Sequence, residues 1–270
     1  MGVIGYVPTE LATVAVVQLT PACELDCPYC GADQHFGVLT RAQAWGLMES
    51  LALNGFESVV LGGGEPLLWP HGLRELCAAA RSRGLVVQVG TSAAQLPQDA
   101  PEWRQVDRWV LPLESASAAA HDALRPMRAG SHHARVMAAL EAFGAAGVPV
   151  TVSSVARRGG EADLISVAGA LERLQARGLK LHAWHLYRFQ PMGRHGAENA
   201  PRFALEDAEW VTLSRSLKAA FPRIPILLRP DMMHSRSVAF FWSTPQGLWR
   251  QGPLGFRGLV ELESPGLSRI

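Results

Sequence analysis

The chain repeats one pattern six times, a short apolar run rich in β-branched residues followed by an amphipathic segment with helical spacing. The runs carry apolar side chains on both faces, as in strands that are buried on both sides. The predicted strands cover residues 13–20, 58–66, 85–92, 107–115, 148–157 and 179–189. Alternating strands and helices favour a parallel sheet covered by helices, so the predicted fold class is α/β.

The helices between these strands have clear ends. Thr40 suits an N-cap, and Gln43 three residues later completes a capping box. Asn54 and Gly55 then mark the end of this helix. Further helices are predicted from Pro70 to Gly84 and near residues 131–146, 161–177 and 205–220.

Polar residues are concentrated just after the predicted strands. The carboxyl ends of parallel strands meet at one edge of the sheet, so these residues are expected to share one mouth. After residue 222 the pattern changes to shorter β-like pieces with turn signals at Gly247 and Gly252. We therefore predict a core over residues 1–222 and a β-rich appendage over residues 223–270 that caps it. Trp242 and Trp249 of the appendage are candidates to line the mouth.

Charge and hydropathy exclude several classes of partner. The chain has 25 basic and 24 acidic residues, a balance that offers no basic face for nucleic acid. No apolar run reaches the ~18 residues that a membrane span needs, and the N-terminus lacks a basic start and a cleavage site. We expect a cytoplasmic protein that binds neither nucleic acid nor membrane and acts on a small ligand.

Three of the four cysteines, Cys23, Cys27 and Cys30, lie within eight residues directly after the first strand. In a reducing compartment such clusters bind metal more often than they form disulfides. A structural zinc site normally takes four protein ligands, whereas the fourth cysteine, Cys77, lies on the apolar stripe of a predicted helix. Three thiolates on a cubane iron–sulfur cluster would leave one iron open. A zinc protein or an electron carrier with Cys77 as fourth ligand remains an alternative.

Two motifs carry a resemblance to a known family. Residues 23–30 match CxxxCxxC, including an aromatic residue, Tyr29, before the last cysteine, and residues 63–66 read GGEP. Together they resemble the radical SAM superfamily. The resemblance implies a partial (β/α)6 TIM-like barrel and one [4Fe-4S] cluster on Cys23, Cys27 and Cys30. It also implies S-adenosylmethionine (SAM) on the open iron, with Tyr29 near its adenine.

The same resemblance implies further contacts to SAM. Gly63, Gly64, Glu65 and Pro66 would hold its amino group through backbone at a strand end, where glycine permits close approach. Weaker candidates lie at the other strand ends: Thr91, Ser92, Glu114, Ser115, Ser154, Arg157, Arg158, Gln190 and Met192.

Most of these weaker candidates are expected to contact a particular group of SAM. Glu114 or Ser115 would contact the ribose, although Ser115 also suits a helix N-cap, and Thr91 with Ser92 equally suits a plain turn. Ser154 with one of the two arginines would bind the carboxylate of SAM.

Near the sixth strand end, Gln190 and Met192 would contact adenine. On that strand His182 and His185 are expected on opposite faces, so no histidine metal site is predicted.

The resemblance also implies a reaction. A one-electron donor such as flavodoxin or ferredoxin would reduce the cluster, and SAM would be cleaved to a 5′-deoxyadenosyl radical that abstracts hydrogen from the substrate. The expected substrate is a small molecule or short peptide in a biosynthetic pathway. No cysteine follows Cys77, so no auxiliary cluster is expected. A viperin-like or deazaguanine-synthase-like enzyme acting on a nucleotide or pterin-type substrate is the alternative, and a non-catalytic zinc or electron-carrier protein a remote one.

Overall fold

The computed structural model describes residues 13–32, 36–232, 235–252 and 257–260. Ten strands lie in this part of the chain. Their bounds are β1 Val14–Gln18, β2 Ser58–Gly62, β3 Val86–Gly90, β4 Arg108–Pro112, β5 Val150–Ala156, β6 Leu181–Arg188, β7 Ile226–Arg229, β8 Val238–Thr244, β9 Gly247–Gln251 and β10 Arg257–Leu259. All six predicted strands are present.

Eight α-helices and two short 3₁₀ turns connect or follow the strands. The helices are α1 Arg41–Leu53, α2 Leu73–Ser82, α3 Ala118–Leu124, α4 His132–Ala145, α5 Glu161–Ala176, α6 Gly193–Gly196, α7 Ala200–Phe203 and α8 Asp207–Ala220, and the 3₁₀ turns cover Pro66–Leu68 and Ala100–Glu102. Within the described residues, no helix has the length and apolar character needed to cross a membrane.

The ten strands form one sheet in the order β10-β9-β8-β1-β2-β3-β4-β5-β6-β7. Strands β1 to β7 run parallel to their sequential neighbours. In the described part of the chain the end strands β10 and β7 do not pair, so the sheet stays open. This arrangement confirms the predicted α/β fold with a partial barrel.

Residues after position 222 extend the sheet at both of its ends. Strand β7 adds parallel to β6, while β8 adds parallel to β1 with Val16 opposite Phe240. Strands β8, β9 and β10 then form antiparallel pairs. The division into a core and a capping appendage at residue 222 stays a prediction.

The two faces of the sheet differ, because side chains alternate along each strand. On β1, Ala15 and Val17 are fully buried in the core beneath the helices, whereas Val14 and Val16 line a cavity. The core centres on large aromatic side chains such as Trp109, which stacks on Phe143 of α4 at a centroid distance of 5.4 Å. The cavity lies on the opposite face of the sheet.

Helix α1 begins as predicted. Thr40 Oγ1 accepts from Gln43 N at 3.2 Å, and Gln43 Oε1 accepts from Thr40 N at 3.0 Å, which completes the capping box. Helix α2 begins at Leu73 and not at Pro70, because Gly72 has a φ of 89° and a left-handed residue cannot continue a right-handed helix. The short helices α6 and α7 were not predicted, since four residues carry little periodic signal.

Candidate active site

A cavity of about 850 Å³ lies on the inner face of the sheet and extends from strand starts, such as Val14 and Arg108, to residues after the strand ends. Ten of the site residues predicted from the sequence line it: Cys23, Cys27, Tyr29, Cys30, Gly63, Gly64, Thr91, Ser92, Gln190 and Met192. The others do not line it: Glu65, Pro66, Glu114, Ser115, Ser154, Arg157 and Arg158.

The three loop cysteines share a small apolar cluster with Leu25 and Tyr29, and none of them forms a disulfide. Burial raises the pKa of Cys23, and it raises the pKa of Cys27 to about 12. The positive charge of Arg125 opposes the rise at Cys27, whereas charge on the neighbouring thiols adds to the rise at both residues. These thiols are therefore protonated in the protein alone, and a bound metal would favour their ionised form.

Three thiols on one loop are a donor set that suits an iron–sulfur cluster. Among the described residues, no three His, Cys, Asp or Glu side chains are placed around a single-ion position. In a cubane each cysteine binds a different iron, so its three ligands need not converge on one point. Cys23, Cys27 and Cys30, on one loop and facing one cavity, thus fit a three-cysteine iron–sulfur cluster.

The GGEP segment supports the cysteine loop through its backbone. Gly64 N donates to Thr20 O at 2.7 Å, and Glu65 N donates to Ala22 O at 2.7 Å. A Cβ on Gly64 would lie 2.3 Å from Ala22 O, well inside van der Waals contact. Glycine is therefore required here by close approach of two backbone segments.

The residues around α6 hold the other side of the cysteine loop. Gly193 has a φ of 75°, and a Cβ there would lie 2.3 Å from the carbonyl carbon of Gly31. Arg194 N donates to Ala32 O at 2.9 Å. His195 Nε2 lies 2.8 Å from Asp26 Oδ1 within the loop. The sequence reasoning assigned residues near 190–192 to adenine and missed this supporting contact.

Glu65 joins the ends of β2 and β3. Its buried carboxylate accepts hydrogen bonds from Leu67 N at 3.1 Å, Thr91 Oγ1 at 2.7 Å and Ser92 N at 2.7 Å. Burial raises the pKa of this carboxyl, while the hydrogen bonds oppose the rise. The carboxylate of Glu65 thus accepts hydrogen bonds from the protein itself, and its partners Thr91 and Ser92 line the cavity.

Glu114 sits at the centre of a second buried network. Its Oε1 accepts from Tyr29 Oη at 2.9 Å and from Arg125 Nε and Nη2 at 3.0 and 2.9 Å, and its Oε2 accepts from Val155 N at 2.9 Å. The guanidinium of Arg125 also lies 5.6 Å from the Tyr29 ring centroid. Arg125 itself lines the cavity, and sequence reasoning missed it because no strand-end pattern marks it.

The remaining predicted SAM contacts have partners within the protein. Ser115 Oγ accepts from Ser117 N at 3.1 Å, and Ser117 is the N-cap residue of α3. Ser154 Oγ donates to Leu113 O and accepts from Trp184 Nε1. Ser153, one residue earlier, lines the cavity, because neighbouring residues of a strand face opposite sides.

The two arginines that follow β5 also have partners away from the cavity. Arg157 pairs with Asp163, and Arg158 Nη1 donates to Pro201 O at 3.2 Å. Their assignment to the carboxylate of SAM stays a prediction.

The expectation that His182 and His185 lie on opposite faces of β6 was wrong, since both line the cavity. The pairing of β5 with β6 contains an irregularity, in which Val150 faces Leu181 but Thr151 faces Ala183. The skipped residue breaks the two-residue alternation.

Of the two tryptophans proposed to line the mouth, Trp242 lines the cavity, whereas Trp249 is not among its described lining residues.

Cys77 lies on the buried face of α2, as the sequence indicates. It is fully buried in the main core, apart from the loop cysteines, and burial raises its pKa to about 12. Its position agrees with a packing role.

A pair of buried histidines connects the ends of β3 and β4. Glu114 N donates to His121 Nδ1 at 3.1 Å, His121 Nε2 lies 2.8 Å from His132 Nδ1, and His132 Nε2 lies 2.8 Å from Ser92 O. Because Glu114 N donates to His121 Nδ1, the proton of this neutral ring is on Nε2, which donates to His132 Nδ1. The proton of His132 is then on its Nε2, which donates to Ser92 O. Burial and the charge of Arg125 lower the pKa of His121 to about 2 and that of His132 to about 4.

Comparison with known proteins relates this site to an enzyme family. The sequence profile of the Radical SAM superfamily matches residues 17–160, slightly more than half of the chain. PqqA peptide cyclase of Streptomyces rochei is 30% identical over 193 residues, which cover 63% of this chain and 49% of that protein. PqqA peptide cyclase of Ruegeria pomeroyi is 31% identical over 193 residues, which cover 66% of this chain and 50% of that protein.

A solved structure shares the fold. The crystal structure of Streptococcus suis SuiB superposes with a TM-score of 0.68 at 14% identity, covering 82% of this chain and 50% of that chain. The chain spans about half the length of the curated relatives that it matches. Members of the matched family are enzymes that use SAM with a [4Fe-4S] cluster. The chain belongs to the radical SAM superfamily.

Proposed function

We propose that this chain cleaves SAM reductively and abstracts hydrogen from a short peptide or small molecule in a biosynthetic pathway. A [4Fe-4S] cluster and SAM, when bound, supply the electron transfer and the radical for this chemistry. The observation that carries the proposal is the placement of Cys23, Cys27 and Cys30. All three are free thiols on one loop, and all three face the cavity at the strand ends.

The protein residues bind and position these groups. Cys23, Cys27 and Cys30 would hold three irons, and the fourth iron would be left for SAM. Gly63 and Gly64 line the cavity beside the loop and present backbone without a side chain, which allows the amino group of SAM to approach. Tyr29 offers a ring whose hydroxyl is fixed by Glu114, so the ring can present an apolar edge near the adenine.

The cavity has room for a substrate beside the cofactors. Its volume of about 850 Å³ is at the upper end of the usual range for small-molecule sites.

A peptide substrate is favoured over a nucleotide by the relatives. Two of the curated matches are named PqqA peptide cyclase, and one SuiB structure is described as bound to the precursor peptide SuiA. We propose a short peptide as the substrate of this chain, with a one-electron donor such as flavodoxin or ferredoxin as its partner.

Replacement of loop cysteines tests the proposal. The protein is reconstituted with iron and sulfide under anaerobic conditions, and iron content and 5′-deoxyadenosine formation from SAM with dithionite are measured. Cys27→Ala is expected to lose most of its iron and all SAM cleavage, since three ligands leave no spare thiolate. Cys77→Ala is the matched control, which is expected to keep both and to lose at most ~1 kcal/mol of stability through packing. Full iron retention in Cys27→Ala, or equal iron loss in Cys77→Ala, would contradict the proposal.

A further inference from the structure

The cavity is lined by basic side chains without acidic ones. The arginines that line it are Arg108, Arg125, Arg188, Arg194 and Arg229, and no aspartate or glutamate is found among its described lining residues. Three of these arginines are engaged: two pair with carboxylates outside the lining, and Arg194 donates to a backbone carbonyl. Arg108 and Arg229 have no carboxylate within ion-pair distance in the part of the chain that the structure describes.

Arg229 ends strand β7 and takes part in a short polar chain. Its Nη2 lies 3.5 Å from His185 Nε2, and His185 Nδ1 lies 3.4 Å from Tyr187 Oη. A guanidinium can only donate, so His185 Nε2 accepts and its Nδ1–H donates to Tyr187. The hydroxyl proton of Tyr187 is then left to donate into the cavity. Arg229 Nε is buried and has no hydrogen-bond partner among the described residues.

Arg108 brings a second positive charge from the start of β4. Its Nε donates to Gln88 Oε1 at 3.2 Å, a neutral partner. The adjacent Asp107 forms no ion pair with it and accepts hydrogen bonds from Arg81 and from Val87 N. Burial lowers the pKa of Arg108, because its charge is held partly away from water, while the negative charge of Asp107 opposes this shift.

Arg229 and Arg108 both act on His185. The pKa of His185 is lowered to about 3 by burial and by the positive charges of Arg229 and Arg108. His185 therefore stays neutral, and the net charge of this wall is positive. Arg108 and Arg229 are half-buried and form no ion pair with a carboxylate of the described residues, so the wall is expected to gain an anion when the site is filled.

Another part of the lining is mostly apolar. It consists of residues of β1 and β8, namely Val14, Val16, Val238, Phe240 and Trp242, with Gln18 of β1 as its polar member. One cavity thus combines a cationic side with an aliphatic and aromatic side.

We propose that the substrate is an oxyanion with an apolar body, bound through its anionic group by Arg108, Arg229 and the hydroxyl of Tyr187. This inference rests on the proposed function, because it assigns the cavity to the substrate. The planar guanidinium fork matches the two oxygens of a carboxylate, such as an acidic side chain or the C-terminus of a peptide. A phosphate would offer the same chemistry. Val16, Phe240 and Trp242 would contact the apolar body.

Binding of simple probes tests this proposal. Protein reconstituted with its cluster and SAM is titrated in a calorimeter with 3-phenylpropionate, with phenyl phosphate and with the neutral 3-phenylpropionamide. The acid is expected to bind at least about tenfold more tightly than the amide, because charge-assisted hydrogen bonds are lost in the amide. Tighter binding of phenyl phosphate would support the oxyanion site and identify phosphate as its source.

Single substitutions locate the subsite. Arg108→Gln and Arg229→Gln are each expected to weaken binding of 3-phenylpropionate by roughly tenfold or more. Arg215→Gln on α8, whose side chain is exposed, is the matched control and is expected to bind as the parent does. Should either cavity variant fail to fold, the other variant and the comparison of acid with amide on the parent protein decide the outcome.

Three results would overturn the subsite: no detectable binding of the acid, equal affinity for acid and amide, or variants that weaken SAM binding but not probe binding. SAM cleavage by the parent protein is measured on the same preparation. Probe binding without SAM cleavage would reject the proposed function and keep the anion subsite. SAM cleavage without probe binding would keep the proposed function and reject the anion subsite.

Discussion

At the scale of single residues, the three consecutive glycines at the end of β2, Gly62 to Gly64, have different roles. A Cβ on Gly64 would meet the carbonyl oxygens of Ala22 at 2.3 Å and Pro21 at 2.6 Å. A Cβ on Gly62 would come no closer than 3.9 Å to another residue, which is ordinary contact. Gly63 has a φ of 139°, and a Cβ there would lie 2.6 Å from a backbone oxygen. Gly63 and Gly64 are therefore both required for the close approach and Gly62 is not, although the sequence GGG does not distinguish them.

Gly64→Ala is expected to push the cysteine loop away from β2. The added Cβ would clash with backbone atoms of the loop, so no side-chain rotation can relieve the clash. The expected cost is ~1–3 kcal/mol of stability. Iron content after reconstitution and the thermal unfolding midpoint should both fall. Gly62→Ala is the control and should retain iron, and equal behaviour of the two variants would show that the close approach is unimportant.

At the scale of secondary structure elements, buried carboxylates link neighbouring strand ends. Glu65 bonds the turn after β2 to the turn after β3, and Glu114 bonds the end of β4 to Val155 of β5. Parallel strands are otherwise joined only by their ladders and by distant helices. The carboxylates thus stabilise the edge of the sheet that carries the cysteine loop.

Glu65→Gln tests this link between β2 and β3. The carboxylate accepts three hydrogen bonds, whereas an amide has one oxygen and would turn its NH₂ toward Leu67 N, Thr91 or Ser92. One buried donor would be left unsatisfied, at a cost of ~1–3 kcal/mol. Urea unfolding followed by circular dichroism measures the change, with Glu49→Gln on α1 as the surface control. A loss no larger than that of the control would rule out a structural role for the carboxylate.

At the scale of the whole molecule, the paired histidines make stability depend on pH. His121 and His132 connect α3 and α4 to the ends of β3 and β4, and the folded protein holds both rings neutral. Their folded pKa values of about 2 and about 4 lie below the ~6.5 of an unfolded histidine. At acidic pH the unfolded chain therefore binds protons that the folded chain does not.

This difference predicts acid destabilisation in a defined window. The stability is fully present above pH ~6.5 and is lost as the pH falls toward 4, at ~1.4 kcal/mol per pH unit for each histidine. Urea unfolding of protein without its cluster at pH 7.5, 6 and 5 measures the loss, since acid lability of the cluster would otherwise contribute. His132→Gln should be less stable at pH 7.5 and should show a shallower dependence. Parallel pH curves for the parent and variant would disprove this origin.

The sequence by itself determined the strands, the long helices, the capping box at Thr40 and the order of the CxxxCxxC and GGEP motifs along the chain. These are local properties, because periodicity and end signals act over a few residues. The same reasoning identified the loop cysteines as a group and separated Cys77 from them.

Only the tertiary structure decided which side chains meet and which face the cavity. Ser153 and not Ser154 lines it, and an irregular pairing of β5 with β6 brings His182 to the same side as His185. Glu114 is bonded by Tyr29, which is 85 residues away along the chain, and by Arg125, which is 11 residues away. Register, bulges and contacts between distant elements depend on packing of the whole sheet, so no local pattern in the sequence could specify them.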